Sequence, residues 1–335
     1  MKSLALLALT LIACTRTADT GDDDPTPDGA VEEDPECKPT FPRTVEPEAF
    51  TAPSGLQNRI TTFIDGAQDS LDIQMYLFTV NAIRQRVIAA HDRGVAVRVI
   101  LDPDHDGNIT TRNALASAGV PTRNAPGLYS FSHAKYMIAD GDRALVMSAN
   151  FNVDAMDEER NYGFVDRDPR DVADLQAIFD MDWGVGGGEQ VQAADLSCTR
   201  LVVSPNNTKA RIVALIDGAT STLEVEAMYV SETSVRDAIV AAKERGVAVR
   251  VILDGSSDES GAISFFRGKG IEVHTSTGFF LHAKLIVADG VAYVGSTNYS
   301  ITALTRNREV GALIFEPAQA QIIKSQFDAD WASSN

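Results

Sequence analysis

Ten consecutive residues occur twice in this chain without a change. Arg93–Asp102 and Arg245–Asp254 both read Arg-Gly-Val-Ala-Val-Arg-Val-Ile-Leu-Asp. The match is the densest part of a longer correspondence. Arg59-Ile60…Phe63-Ile64-Asp65-Gly66-Ala67 is answered by Arg211-Ile212…Leu215-Ile216-Asp217-Gly218-Ala219, and Ser70–Tyr76 by Thr222–Tyr229. The offset drifts from 152 residues at the start to 148 at a closing Asp-Trp, Asp182-Trp183 against Asp330-Trp331. Two copies with small insertions imply a duplicated unit and two similar lobes.

Within each copy, Ile83–Arg93 and Val235–Arg245 have apolar residues at helical spacing. Val95–Leu101 and Val247–Leu253 are unbroken apolar runs of the kind buried in parallel sheets. Each half reads helix, strand, helix, strand, helix, strand, hairpin, helix. That alternation predicts an α/β fold: two homologous lobes, each a mixed sheet flanked by helices. The lobes are expected over 45–184 and 199–333, with Gly184–Gly188 as the break between them.

A second pair of repeats carries the chemistry. Ser132-His133-Ala134-Lys135 runs on to Asp140 and then Ser148-Ala149-Asn150, and Leu281-His282-Ala283-Lys284 runs on to Asp289 and then Ser296-Thr297-Asn298. Both read H-x-K-x4-D followed by S-x-N. Ala-Lys and three apolar residues before Ala-Asp-Gly predict a strand entering a tight turn, with Arg143–Met147 or Val291–Gly295 returning. Alternation then sets His133 with Lys135, and His282 with Lys284, on one face of a strand, and the return brings Ser148 and Asn150, or Ser296 and Asn298, beside it. Each copy thus offers an imidazole, an ammonium, a hydroxyl and an amide, which is half of a phosphate site.

The ends of the chain are of a different kind. Met1-Lys2-Ser3 gives a short basic start, and Leu4–Leu11 is apolar but too short to cross a membrane as a helix. Leu11-Ile12-Ala13-Cys14 has the small-residue-then-Cys pattern of a bacterial lipoprotein cleavage site, so residues 1–14 are expected to be a leader and Cys14 the lipid-bearing residue. Thr15 after it favours delivery to the outer membrane, with the protein in the bacterial cell envelope, periplasmic or at the surface. Residues 15–37, with nine acids and one arginine, cannot bury enough apolar surface to fold and read as a disordered acidic tether. Of the other cysteines, Cys37 and Cys198 form an even pair, expected as a disulfide in an oxidising compartment.

Charge narrows the partners. The formal net charge is −18, and removing the leader and tether still leaves the folded part at −11. Non-specific nucleic-acid binders draw most of their affinity from phosphate neutralisation by basic surfaces, so nucleic acid is disfavoured here.

The duplicated H-x-K-x4-D with S-x-N after it resembles the phospholipase D superfamily, over essentially everything from Arg59 to Trp331. The resemblance implies two motifs meeting across a pseudo-two-fold interface in one active site that needs no metal or other cofactor. One imidazole would attack phosphorus to give a phosphohistidine, and the other would protonate the leaving oxygen and then activate water or an alcohol. Lys135, Lys284, Asn150 and Asn298, assisted by Ser148 and Ser296, would hold the phosphoryl oxygens. Asp140 and Asp289 would belong to the catalytic motif, although an Asp-Gly pair also suits a turn. A carboxylate of the family hydrogen-bonds a catalytic imidazole, which makes Glu309 the candidate orienter and Asn161 its counterpart. The histidines are then expected to differ in basicity, with His133 the nucleophile.

The expected activity is cleavage of phospholipid phosphodiester bonds, by hydrolysis or headgroup exchange, by a monomer at a membrane surface. A metal-independent endonuclease is the first alternative. A cardiolipin synthase-like phosphatidyltransferase is the second, disfavoured because the chain lacks membrane-spanning segments, and an inactive surface binding module the third. Asp102–Asn108 has the look of a calcium loop, but Asn113 stands where a bidentate Glu belongs; a polar loop at the cleft rim is the simpler reading. Tyr129, Phe131, Phe279 and Phe280 precede the motifs, and some of them are expected to line the cleft.

Overall fold

The computed structural model describes residues 43–255 and 260–335. Cys14, the leader, the tether and Cys37 lie outside them. Cys198 is disulfide-bonded.

The first half runs β1 (Glu48–Ala52), α1 (Leu56–Asp65), β2 (Ser70–Met75), α2 (Asn81–Asp92), β3 (Ala96–Leu101), α3 (Asn108–Ser117) and β4 (Thr122–Asn124). It continues with a hairpin, β5 (Lys135–Ala139) and β6 (Arg143–Met147), then α4 (Val153–Asp157), β7 (Glu159–Asp166) and α5 (Pro169–Gly186). The second half repeats this as β8 (Leu201–Ser204), α6 (Thr208–Asp217), β9 (Thr222–Ala227), α7 (Thr233–Glu244), β10 (Ala248–Leu253), α8 (Ser260–Gly268) and β11 (Glu272–Thr275). A short β12 (Phe280–Leu281) precedes β13 (Lys284–Ala288), β14 (Val291–Gly295), α9 (Ile301–Thr305), β15 (Glu309–Ile314) and α10 (Pro317–Ser333).

The sheets are built alike. One has the order β1-β7-β6-β5-β2-β3-β4, the other β8-β15-β14-β13-β9-β10-β11. In each, the three strands at one end are parallel and the rest antiparallel. β1 and β8 escape the sequence reading because four or five residues before a proline carry no periodic signal. Both pair antiparallel with the last strand of their own half.

The repeated decapeptide shows why two halves make one body. Val97, Val99 and Leu101 face the helices α1 and α2 on one side of the first sheet. Ile100 faces the other side, into a core shared with Ile252, Leu285, Val294, Phe179 and Phe327. Arg98 shares that side. It binds Asp72 and Asp180 and lies 4.9 Å from the Phe179 ring centroid and 5.6 Å from that of Trp183. Arg250 repeats this against Glu224, Asp328, Phe327 and Trp331. The closing Asp-Trp of each repeat therefore ends a helix that caps its own sheet.

Gly184–Gly188 spans the end of α5, whose C-cap is Gly187. α5 runs through Gly184 and Gly186 because the missing side chains admit neighbours. A Cβ on Gly184 would stand 2.4 Å from Val191, and one on Gly186 2.4 Å from the carbonyl of Asn124. Gly186 thus packs closely against β4 and Gly184 against Val191, and the crossover to the second half begins within the glycine run, at 187–200.

A difference between the two hairpins has a packing cause. Met147 ends β6, whereas Gly295 ends β14. In the second half Tyr293 stands where the first has Leu145, and its hydroxyl lies 2.6 Å from where a Gly295 Cβ would be; the Gly311 Cα is at 2.5 Å. Gly295→Ala should destabilise the protein by about 1–3 kcal/mol through this overpacking, measured as a lowered urea midpoint. Met147→Ala should also destabilise it, through a cavity instead.

Candidate active site

Strands β5 and β13 begin at the two lysines, so His133 and His282 stand two residues ahead of them rather than on the strand face. Each is fastened to the opposite half. Ser132 bridges Arg308, and the His133 N–H donates to the Arg308 carbonyl at 2.9 Å. Phe280 and Leu281 pair with Glu159 and Arg160, and the His282 N–H donates to the Arg160 carbonyl at 3.2 Å.

The ring partners cross in the same way. His133 Nδ1 lies 2.9 Å from Glu309 Oε2, and His282 Nδ1 lies 3.0 Å from Asn161 Oδ1. Sequence reasoning stopped one residue short of a third participant. Glu159 Oε2 accepts from Asn161 Nδ2 at 3.2 Å and lies 3.4 Å from His282 Nδ1. In the other half Asn307 Nδ2 donates to Glu309 Oε1 at 2.9 Å. The first copy reads Glu159-Arg160-Asn161 and the second Asn307-Arg308-Glu309, so Glu and Asn have exchanged places. That exchange was the available signal.

The serines hold these partners rather than a substrate. Ser296 Oγ donates to Glu309 at 2.6 Å and Ser148 Oγ to Asn161 at 2.7 Å, while each also accepts a backbone N–H at 3.1 Å. With donor and acceptor both engaged and the residues buried, Ser148 and Ser296 have nothing to offer a phosphoryl oxygen. Asn150 and Asn298 differ. Both are buried, and the Oδ1 of each has no hydrogen-bond partner; that atom is an acceptor which a ligand hydroxyl would complete, whereas a phosphoryl oxygen would need the Nδ2 group.

Asp140 and Asp289 are removed from the chemistry. They lie at the far ends of β5 and β13 with φ of 55° and 47°. Asp140 Oδ1 accepts the N–H groups of Gln68, Asp69 and Ser70, and the Asp289 carboxylate those of Thr220, Ser221 and Thr222. A short polar side chain tolerates the left-handed turn and ties it to the start of β2 or β9. Their catalytic assignment is replaced by a structural one.

The electrostatics follow from enclosure. Burial drives the Lys135 ammonium well below its usual range and the Lys284 ammonium down to about 7, against the pull of Glu309 and Glu159. Burial also lowers both histidines. His133 regains part of this from Glu309, whereas His282 feels Lys284, Lys135 and His133 and falls well below its ordinary value. Burial would raise the Glu309 carboxyl, but His133 and Lys135 hold it below its ordinary value, so it is ionised. The lysine side chains fold back onto the carbonyls of their own histidines, Lys284 at 2.5 Å.

The rim is aromatic. Tyr76 meets His133 edge-on at 4.7 Å and Phe131 at 6.2 Å, and Phe280 stacks over His282 at 6.5 Å. Phe131 and Phe280 are 42% and 41% exposed, while Tyr129 donates to Asp182 and Phe279 packs under Arg160. Asp102 braces the motif by accepting the N–H groups of Ser132 and Asp104.

Comparison with known proteins fits this arrangement. Residues 60–183 and 212–331 match the family model described as cardiolipin synthase, PLD-like domain. Among curated proteins, the cardiolipin synthase of Clostridium perfringens (strain SM101) is 24% identical over 80% of this chain and 66% of its own. That of Listeria monocytogenes (strain HCC23) is 24% identical over 80% and 65%. The chain thus spans just under two thirds of the length of these relatives. Similar in fold are phosphatidylserine synthase from Haemophilus influenzae, with a TM-score of 0.69, 13% identity and 87% of each chain covered, and polyphosphate kinase from Porphyromonas gingivalis, with 0.65, 15%, and 85% of this chain against 50% of that one.

The turn assignment makes a prediction. Asp289→Ala should cost up to about 1 kcal/mol of stability, because water can take over the three exposed N–H groups, and leave kcat unchanged at a temperature where the variant is folded. The folded carboxyl is held at about 2 by those hydrogen bonds, against the opposing effect of burial. Its folded pKa is thus below the unfolded one, so its stabilisation is complete above about pH 4 and is lost as pH falls toward 2. Denaturation of wild type and variant should therefore converge in acid.

Proposed function

This chain belongs to the phospholipase D superfamily, and from that membership we propose that it is a phosphatidyltransferase, moving a phosphatidyl group from one phospholipid to an alcohol. The expectation of phospholipid hydrolysis is overturned by the relatives. Curated proteins matching both halves are named cardiolipin synthase, and that correspondence carries the proposal. The missing membrane spans were no argument against it, because the matched stretches are the two halves that build the site. Among the described residues no helix is long and apolar enough to cross a membrane.

The chain's own residues account for both steps. The His133 Nε2 lone pair attacks phosphorus, the bond to the leaving alcohol breaks, and His282 gives that oxygen its proton. An acceptor hydroxyl then loses its proton to the now neutral His282, its oxygen attacks phosphorus, and the P–N bond breaks to restore His133. The positive charge moves from His282 to His133 in the first step and back in the second. Glu309 gives the phosphohistidine a counter-ion, so the covalent state persists while an alcohol arrives. Asn161 offers His282 no charge and the Glu159 carboxylate stands farther off, 3.4 Å from Nδ1, so His282 is the less stabilised cation and parts readily with its proton. Lys135, Lys284 and the amides of Asn150 and Asn298 receive the phosphoryl oxygens.

An amphiphilic substrate suits the surroundings. Phe131 and Phe280 present apolar surface beside the two rings, and the arginines nearest the site, Arg160 and Arg308, are bound to Asp330 and Asp182 instead of facing outward. A polynucleotide could stack on those rings but would want the arginines turned outward to its phosphates. We further propose that the reaction takes place at a bacterial envelope membrane, with Cys14 as the lipid anchor.

Vesicles of phosphatidylglycerol incubated with the protein should yield diphosphatidylglycerol and free glycerol in equal amounts. His133→Ala and His282→Ala should each reduce the rate roughly a thousand-fold or more. Phosphatidic acid as the sole lipid product would make water the acceptor and sink the transfer reading. Quenching during turnover with a phosphate-labelled donor should place the label on the peptide carrying His133. Glu309→Gln should lower the trapped fraction, and label on His282 would reverse the assigned roles.

A further inference from the structure

Each half contributes one arginine beside the site that the reaction does not use, Arg308 buried and Arg160 half-buried. Arg308 directly precedes Glu309 and Arg160 directly precedes Asn161, the residues that hold the two rings. Arg308 grips Asp182 of α5 with two parallel bonds, Nε to Oδ2 at 2.8 Å and Nη2 to Oδ1 at 2.9 Å. Arg160 grips Asp330 of α10 at 2.6 and 3.1 Å. Both pairs cross the interface, each arginine belonging to one half and its aspartate to the other. These aspartates are the first letters of the closing Asp-Trp that marked the end of each repeat.

The backbone crosses at the same residues. The Arg308 carbonyl receives the His133 N–H, and the Arg160 carbonyl receives that of His282. Neighbouring residues of an extended strand point to opposite sides, so the guanidinium can be locked on one side while the next side chain reaches the ring on the other. A two-pronged arginine–carboxylate contact fixes direction as well as distance.

We propose that Asp182–Arg308 and Asp330–Arg160 are positioning pairs, each setting the register between one histidine and its ring partner across the pseudo-two-fold interface. This rests on the reading above that His133 and His282 perform the chemistry. The pairs are not equally braced. Asp182 also accepts from Gln74 Nε2 at 3.0 Å and Tyr129 Oη at 3.1 Å. At the second site Glu226 replaces Gln74, accepting from Tyr162 at 2.6 Å, and Asp330 takes a further bond from Gln326 at 3.0 Å. The pair that serves the carboxylate-backed histidine is held by neutral donors. Its counterpart lies beside a buried acid.

The test uses the full chain with Asp182→Asn, Asp330→Asn and Arg308→Lys, following the five histidines by proton–carbon NMR across pH, with phosphatidyl transfer assayed in parallel. His133 faces Glu309, Lys135, Lys284 and Tyr76, and His282 faces Asn161, Glu159, Lys284, Lys135 and His133. In Asp182→Asn the Glu309 carboxylate loses its register, so His133 should protonate at lower pH while His282 titrates as before. Asp330→Asn should move His282 and spare His133, and Arg308→Lys, which keeps the charge without the fork, should resemble Asp182→Asn. Each variant should lose on the order of 100-fold in kcat with little change in KM, the cost of a displacement near 1 Å. Lower thermal stability accompanies a merely structural role as well, so the titrations decide. Folded Asp182→Asn and Arg308→Lys proteins whose histidines titrate as in the wild type would overturn the proposal. Selective shifts in the variants, with a wild type that transfers no phosphatidyl group, would leave the proposal standing and remove only the transferase reading.

Discussion

Two ammonium groups and two imidazoles are enclosed together with two carboxylates, and that imbalance of charge governs the rest of the site. Burial and the mutual repulsion of these cationic groups outweigh the pull of Glu309 and Glu159. A buried cation without a partner lowers its own pKa, which is what Lys135, Lys284 and His282 do. A phosphodiester brings one negative charge and would restore the balance. The enclosed cationic groups are therefore arranged to receive an anion.

The duplication explains how so many charges can be held in one place. Each half supplies a histidine and a lysine, but the anchors of each histidine come from the other half: a backbone carbonyl, a ring partner and an arginine gripping back across the interface. Neither half alone encloses the site. The shared apolar core between the inner faces of the two sheets, closed by α5 and α10, keeps the crossing rigid enough for hydrogen bonds to define geometry. Divergence after duplication then acted on a small element. With Glu and Asn exchanged about a constant arginine, His133 meets a carboxylate at 2.9 Å, whereas His282 meets an amide at 3.0 Å and a carboxylate at 3.4 Å, so the two rings stand in different fields.

The sequence by itself determined the two-lobed α/β fold. The identical decapeptide, the regular offset and the change from helical spacing to unbroken apolar runs are local properties of the chain, set by burial and periodicity. It also determined which residue types could do the chemistry, because two H-x-K motifs followed by S-x-N are specific in a way that a single histidine is not. What it could not settle was direction. Ser148 and Ser296 were legible as hydroxyls near the site, but only the fold shows those hydroxyls spent on Asn161 and Glu309. Asp140 and Asp289 belong to the motif as written, yet a five-residue strand carries them to its far end, where backbone N–H groups claim them. Gly184–Gly188 reads as a break between lobes, and only the fold shows that Gly184 and Gly186 also admit close neighbours. Which ring Glu309 serves, and that Asp182 and Asp330 face arginines of the opposite half, are contacts between residues more than a hundred positions apart. No local pattern encodes such pairings, and they were decided when the two sheets closed on one core.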